Sequence, residues 1–431
     1  MNNNKEKQIM RKTNMRIFPL YKKLGCDYLF FYTIDFLFLT QIKSISVSDV
    51  VLKSTFYAFF SIILQIPANI IVEFIGRKNS IILGNILNCI YMVIIMLSKN
   101  LSDLIIAEFF SALAFSIKNV AEPSLLNESI PPSKYKSQIF SKINAKGLSG
   151  YYILDSISKI IAGYLFVING YLPVVCSMII LIIVSFLSIK FIEPIKKTKN
   201  NNRFTYKEQI KNVRAGFLYI LKSERLKALI LCGSLIEALI WILSTYHVSL
   251  QEELQLSSII IGIIAAIGSL ISGYATKGQN KFHEKFKNKT LFVISMLLSI
   301  STIMAGVFGI NAQKHVSLLA MIIITFFIYN FCRGMYTAII DKYLRNFANQ
   351  RIDTKIFATK NLFRNVFRMI AGLFASFLID KTTTVYCMII IGIIFTIIFL
   401  LIKQYMKSRV GLKPEEYSNI ERKYDEQKEI N

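Results

Sequence analysis

Several long apolar segments of this sequence carry ionisable side chains near their middles. Six of these side chains lie at a similar depth if each segment is an α-helix. Each is roughly 10–16 Å along its segment, counted from the end that lies at one common face of the membrane. They are three acids and three bases: Asp35, Lys118, Asp155, Glu237, Arg333 and Arg368. An ionisable group is costly in lipid, so it should face a cavity or a charged partner. We predict that these residues bind a solute or relay a proton.

Asp35 and Glu237 are the best candidates for carrying that proton. Neither has an obvious cation on its own segment that would hold it ionised. Lys118 and Asp155 match in depth on consecutive segments, which predicts that these two side chains pair directly. The alternative for any residue of the group is a structural ion pair that locks two helices together.

Other ionisable residues share the same segments. They form a second set that either lines the cavity or makes ion pairs: Asp27, Glu108, Glu122, Lys146, Lys159 and Arg364. Aromatic residues near the charges either shape a pocket for a hydrophobic or cationic substrate or serve as packing anchors. These are Tyr32, Tyr151, Tyr152, Trp241, Tyr246, Tyr329 and Tyr336.

Membrane-crossing helices must position these charges. The chain is 54% hydrophobic, and its apolar stretches repeatedly reach the length of about 20 residues that spans a bilayer. Backbone groups in lipid must pair internally, which favours helices and argues against a large soluble protein. We predict an all-α polytopic membrane protein with twelve spans, near residues 25–42, 52–74, 80–97, 102–126, 146–168, 171–189, 226–246, 256–276, 289–310, 317–340, 359–379 and 384–404.

Basic residues are concentrated in alternate connections between the predicted spans. The net charge of +25 therefore follows the positive-inside pattern, which places both termini in the cytoplasm. This distribution argues against a nucleic-acid partner. Heavy use of Ile, Lys and Asn is typical of an AT-rich bacterial genome, so we expect a multi-pass protein of the bacterial plasma membrane. We expect a monomer surrounded by the lipid bilayer.

The longest connection, residues 193–225, divides the predicted spans six and six. Within it, an apolar stripe at helical spacing predicts an amphipathic helix: Ile210, Val213, Phe217 and Leu221. That helix lies on the inner membrane surface or forms a soluble linker. Sequence after the fourth span is also echoed after the tenth, as in a duplicated unit. We therefore predict bundles at 1–192 and 226–404, with a cytoplasmic tail at 405–431.

A short polar loop follows the second span. It contains an acid, a glycine and two bases: Glu73, Gly76, Arg77 and Lys78. Gly76 permits a sharp turn, and the two bases favour the cytoplasmic surface. This loop resembles the corresponding motif of the major facilitator superfamily, from which it departs at Asn69 and Phe74. A plain positive-inside turn is the alternative.

The resemblance implies two pseudo-symmetric bundles of six helices. It implies that the first, fourth, seventh and tenth spans line a central cavity, and that Glu73 helps to close one state by pairing with a cation or a helix N-terminus of the other half. The distribution of charge agrees with this layout, because the third, sixth, ninth and twelfth spans carry no charged residue in their interiors.

Several other kinds of chemistry have no signature in this sequence. There is no phosphate-binding loop of the ATPase type. His247, His283 and His315 lack metal-ligand spacing, and the six cysteines form no paired motif. We expect no metal, no cofactor and no enzymatic activity, with a proton as the coupling ion.

Together these features predict a secondary active transporter of a small organic solute, working by alternating access. Export driven by proton exchange is the first expectation. The alternatives are uptake by proton cotransport and a transporter-like sensor that carries no flux.

Overall fold

The computed structural model describes residues 2–131, 135–194, 206–312, 315–347, 353–403 and 405–406, and within these ranges the chain is α-helical without strands. The helices up to the central connection are α1 Asn2–Gly25, α2 Asp35–Leu37, α3 Val47–Ile75, α4 Arg77–Leu97, α5 Leu101–Ser129, α6 Lys136–Ile168 and α7 Leu172–Ile189. Those that follow are α8 Tyr206–Lys222, α9 Glu224–Glu253, α10 Ser258–Phe286, α11 Thr290–Asn311, α12 Val316–Phe347, α13 Asp353–Lys381 and α14 Thr384–Leu401.

Eleven of these helices, α3–α7 and α9–α14, are long and apolar enough to cross a membrane. They coincide with the second to twelfth predicted spans, so the all-α multi-pass fold is confirmed. Two of the helix starts are capped by polar side chains. The Asn100 side chain accepts a hydrogen bond from the Asp103 amide at the start of α5, and the Ser223 hydroxyl accepts one from the Leu226 amide in α9.

The predicted first span, 25–42, is wrong as a continuous helix. Helix α1 ends at Gly25, and turns lead to the short helix α2 and a π-helix, Phe38–Ile42. Phe30 has a φ of +69° within the turns, a conformation that bulky residues rarely adopt. The apolar side chains of this segment are nevertheless buried, with Phe31 and Ile34 at most 1% exposed. Tertiary packing therefore holds a non-helical backbone where composition favours a helix.

The chain divides into two compact units. The first contains Met1–Ile45, Phe56–Gln209 and Ser258–Ala266, and the second contains Ser46–Thr55, Ile210–Ser257 and Ile267–Asn431. The start of α3 thus belongs to the second unit and the start of α10 to the first. The simpler boundaries expected from the sequence stay a prediction, and residues 407–431 of the expected tail lie outside the described residues.

In the second unit, α11 and α14 approach closely at two glycines. A Cβ at Gly306 would lie 2.7 Å from the Val385 carbonyl oxygen, and one at Gly392 would lie 3.0 Å from the Ile303 amide nitrogen. Small residues allow two backbones to pack at such distances, which is a common way for membrane helices to associate.

Helix α8 confirms that the central connection contains a helix. Phe217 and Leu221 of the predicted stripe are exposed, whereas Tyr219 and Ile220 are buried. The side chains of Ile210 and Val213 lie outside the described residues. The Phe217 ring stacks on the ring of Phe363 in α13, with the two centroids 5.7 Å apart. The placement of α8 on the membrane surface stays a prediction.

Candidate functional site

The first unit holds a closed cluster around the Glu122 carboxylate on α5. Lys22 of α1 donates to Oε2 at 2.7 Å, and the Tyr21 hydroxyl donates to Oε1 at 3.0 Å. Lys118 lies one helical turn before Glu122, with its Nζ 3.8 Å from Oε1. The side chains of Glu122 and Lys118 are only 4% and 3% exposed. Both carboxylate oxygens are occupied, so this cluster has the character of a structural ion pair.

The Lys118 side chain is almost completely buried. Its ammonium group donates to the Gly25 carbonyl at 3.0 Å, where α1 ends. A Cβ at Gly84 would lie 2.7 Å from the Lys118 Cγ, so α4 packs directly on this side chain. The predicted pairing of Lys118 with Asp155 is wrong. Lys118 points toward α1 and α4, and Asp155 has its partner on its own helix.

That partner is Lys159, whose ammonium group lies 2.7 Å from Asp155 Oδ2 one turn further along α6. Asp35 is the first residue of α2, and Asp27 lies in the turns before it, where its Oδ1 accepts a hydrogen bond from the Tyr28 amide. In the same unit, Glu108 is buried on α5 and Lys146 is exposed on α6.

The second unit holds a more open cluster around the Glu237 carboxylate on α9. Arg368 of α13 donates to Oε1 at 2.9 Å. Arg364, one turn earlier on α13, places its Nη1 3.5 Å from the same oxygen. The Tyr336 hydroxyl of α12 points between the Gly233 carbonyl at 2.8 Å and Glu237 Oε2 at 3.3 Å.

The sequence predicts no cation for Glu237 on its own helix, and both of its arginines indeed come from elsewhere. Its cations come from another helix, α13, where the spacing of four residues puts Arg364 and Arg368 on one face. No pattern within the predicted seventh span could reveal them. The proposal that Glu237 carries a proton stays a prediction.

Aromatic residues surround this second cluster. The Arg368 guanidinium lies over the Trp241 ring, 4.2 Å from its centroid, in the arrangement of a cation–π contact. The Tyr329 hydroxyl donates to the Ile240 carbonyl at 3.3 Å and also contacts the guanidinium of Arg333. Arg333 itself is exposed. Of the six residues predicted at one depth, Lys118 and Asp155 thus pair with different residues of the first unit. In the second unit, Glu237 and Arg368 are in direct contact.

The loop after α3 forms a second kind of polar site in the first unit. The Arg77 guanidinium pairs with Glu73 at 2.8 Å and with Glu128 of α5 at 3.2 Å. The Arg77 and Lys78 amides donate to the two carboxylate oxygens of Glu193, both at 2.7 Å. Glu193 therefore caps the N-terminus of α4, where it compensates the positive end of the helix dipole.

Gly76 makes this cap possible. Its φ of +91° lies in the region that favours glycine, and a Cβ there would meet Glu193 Oε1 at 2.7 Å. Glu73, in the last turn of α3, contacts Arg77 at the start of α4. Its expected gating contact with the other half stays a prediction.

A sequence model of the major facilitator superfamily matches residues 24–346, about three quarters of the chain. The chain belongs to the major facilitator superfamily. Together with the helical fold, this membership identifies a secondary transporter of small solutes and a multi-pass membrane protein. Among the curated proteins searched, none matches the sequence.

Solved structures of several other transporters share this fold. A mutant form of the nucleoside transporter NupG is similar, with a TM-score of 0.68 and 11% identity over 92% of this chain and 99% of that chain. A POT family transporter in complex with 5-aminolevulinic acid gives a TM-score of 0.66 and 14% identity over 94% and 96%. A D-xylose-proton symporter gives 0.66 and 12% over 89% and 96%. At these identities the likeness concerns the fold alone.

Four residues of the polar sites in the first unit were not predicted from the sequence. They are Tyr21 and Lys22, which contact Glu122, and Glu128 and Glu193, which contact Arg77. Tyr21 and Lys22 fall before the predicted first span, in what reads as a basic terminus. Glu193 could have been found from its position directly after the sixth span, because a carboxylate there can reach the start of a neighbouring helix. Among the described residues, no group of three His, Cys, Asp or Glu side chains is placed to hold a metal ion.

Proposed function

We propose that this protein couples the transport of a small organic solute to a proton gradient, with Glu237 as the proton site. The observation that supports this most is the environment of Glu237, which is 15% exposed and ion-paired with two arginines of a different helix. Protonation would remove the charge that holds Arg364 and Arg368 toward α9. A change of protonation would thus loosen the contact between α9 and α13 inside the second unit, and local helix shifts of this kind are one way in which a conformational switch begins.

The direction of transport depends on how solute and proton interact at this site. If the solute competes with the proton for Glu237, the two exchange, and the protein exports its substrate, as the sequence predicts. If the solute binds the arginines, protonation of Glu237 favours its binding, and the two move together. The second form, uptake by cotransport, is favoured by one observation: two guanidinium groups share a single carboxylate oxygen.

The experiment is proton flux in proteoliposomes. Purified protein is reconstituted in phosphatidylcholine vesicles containing a pH-sensitive dye, and a panel of anionic, neutral and cationic compounds is added outside. We expect at least one compound to change the internal pH only in vesicles that contain the protein. Internal acidification indicates cotransport and alkalinisation indicates exchange. Compounds that bind without any proton or solute movement would instead support a sensor and contradict this proposal.

The proposed location is the bacterial plasma membrane with both termini in the cytoplasm. The distribution of basic residues supports this orientation.

A further inference from the structure

Arg364 is held less completely than the charge beside it. Its Nη1 lies 3.5 Å from Glu237 Oε1, whereas Arg368 Nη2 reaches the same atom at 2.9 Å. Charge-assisted N–H···O bonds are usually about 2.7–2.9 Å long. Glu237 therefore forms its strong hydrogen bond with Arg368, and Arg364 is left with a long contact to an oxygen that is already occupied.

The Arg364 guanidinium also has unused hydrogen-bonding capacity. A guanidinium offers about five N–H donors in a planar fork that matches the oxygens of a carboxylate or phosphate. The Nε of Arg364 is buried without a hydrogen-bond partner. Nonetheless the side chain as a whole remains 27% exposed, against 13% for Arg368. A ligand can therefore reach the outer nitrogens of Arg364.

The helix that carries Arg364 presents a stripe of cations. Lys360, Arg364 and Arg368 follow one another at intervals of four residues, which places them on one face of α13. Helix α9 opposes this stripe with the carboxylate of Glu237, on which the charges of all three act. Three basic side chains of α13 thus lie near one carboxylate of α9. Such a surface attracts anions and repels cations.

We propose that Arg364 binds an oxyanion of the transported solute, a carboxylate or a phosphate group, so that the substrate is an organic anion. This proposal rests on the proposed transport function and names its substrate class. In the bound state each oxyanion has its own guanidinium, with Arg368 on Glu237 and Arg364 on the solute. When Glu237 is protonated, Arg368 can turn to the solute as well. Proton and anion therefore reinforce each other's binding, which predicts cotransport.

The sequence offers a built-in probe for this site. Trp241 is the only tryptophan of the chain, and its ring lies under the Arg368 guanidinium. A solute that rearranges the two arginines should change its fluorescence. The full-length protein in phosphatidylcholine nanodiscs is titrated with benzoate, with inorganic phosphate, and with benzylamine as a cation carrying the same ring.

We expect benzoate or phosphate to cause a saturable fluorescence change and benzylamine to cause none. In Arg364→Gln the apparent dissociation constant should rise about tenfold or more, since hydrogen bonds to charged groups are lost. Arg364→Lys keeps the charge without the fork and should be intermediate. Lys381→Gln, at the exposed end of the same helix, should behave like the wild type. If Arg364→Gln does not fold, as judged by gel filtration, the Arg364→Lys series carries the test.

Three results would overturn the proposal. The first is saturable binding of benzylamine but not of either anion, and the second is equal anion affinity in both Arg364 variants and Lys381→Gln. The third is loss of the benzoate response when phosphatidylglycerol is included in the nanodisc, because the site would then belong to a lipid headgroup. Binding can be measured without flux. Anion binding without proton movement would therefore contradict the transport function and leave the anion site intact. If cationic or neutral compounds instead show proton-coupled flux that is unchanged in the Arg364 variants, the anion site alone is contradicted.

Discussion

At the scale of single residues, two buried carboxylates with similar partners have different characters. Glu122 and Glu237 each contact two cations and a tyrosine. Glu122 is almost fully enclosed, whereas Glu237 and Arg364 keep measurable exposure. Enclosure without access favours a structural role for Glu122, and access favours a binding role for the cluster around Glu237.

A first prediction concerns Glu122→Gln. This change leaves the buried Lys118 and the partly buried Lys22 without their counter-charge, so the free energy of unfolding should fall by roughly 3–5 kcal/mol. The loss of stability should appear as a lower thermal unfolding midpoint of the purified protein in detergent. Glu128→Gln serves as the control, because Glu128 is 42% exposed and exposed pairs contribute about 0–1 kcal/mol. An unfolding midpoint unchanged in Glu122→Gln would contradict the structural role.

Residue types alone predict which side chains must avoid lipid, but not which ones meet. The choice of Glu122 over Asp155 as the partner of Lys118 depends on how α5 is rotated toward α1 and α4. Rotation follows from packing over the whole bundle, including the close approach at Gly84. The carboxylate of Glu237 likewise finds its cations on a helix more than 100 residues away in sequence.

At the scale of elements, the sequence predicts helices well and their irregularities poorly. Eleven spans follow from apolar length because lipid leaves the backbone little alternative to a helix. The break between α1 and α2 was missed because nothing in residues 26–34 resembles a helix breaker, and tertiary contacts around Phe31 and Ile34 impose it. The cap of α4 was partly predictable, since Gly76 indicates a turn, whereas Glu193 comes from the segment that follows α7.

A second prediction follows from that cap. In Gly76→Ala, the alanine must adopt the φ of +91° and ψ of 169° found at this position, a combination that essentially only glycine occupies and that costs about 1–3 kcal/mol. Its Cβ must also displace the Glu193 carboxylate. We expect a lower unfolding midpoint and weaker closure of the α3–α4 turn, measured as faster hydrogen exchange of the Arg77 and Lys78 amides.

The matched control for this variant is Gly273→Ala. Gly273 lies inside α10, and no atom lies within 4 Å of a Cβ built there. Alanine in a helix interior is favoured over glycine by about 1 kcal/mol. Its unfolding midpoint should therefore stay level or rise. Equal destabilisation by the two changes would show that Gly76 has no special conformational role.

At the scale of the whole molecule, the fold is shared with transporters that are only 10–14% identical in sequence. The same architecture therefore tolerates nearly complete replacement of its side chains, and substrate and direction are decided by a few of them. For this reason the proposed function rests on the Glu237 cluster rather than on the solutes named for those structures.

A third prediction tests the orientation of the molecule. The positive-inside pattern places the α4–α5 turn outside and the end of α7 inside. Alkaline phosphatase fused after Asn100 should be active in bacterial cells, and the same enzyme fused after Glu193 should be inactive. A green fluorescent protein fusion at each point should give the opposite result. Reversed signals at both positions would overturn the proposed topology.

The central claim is that Glu237 links proton movement to solute movement, and one variant tests it most directly. Glu237→Gln mimics the protonated side chain permanently. In proteoliposomes it should lose proton-driven solute accumulation while it retains exchange of labelled for unlabelled solute across the membrane. Glu284→Gln, an exposed acid near the end of α10, should keep both activities. Proton-driven accumulation at the wild-type rate in Glu237→Gln would show that Glu237 does not couple proton and solute movement.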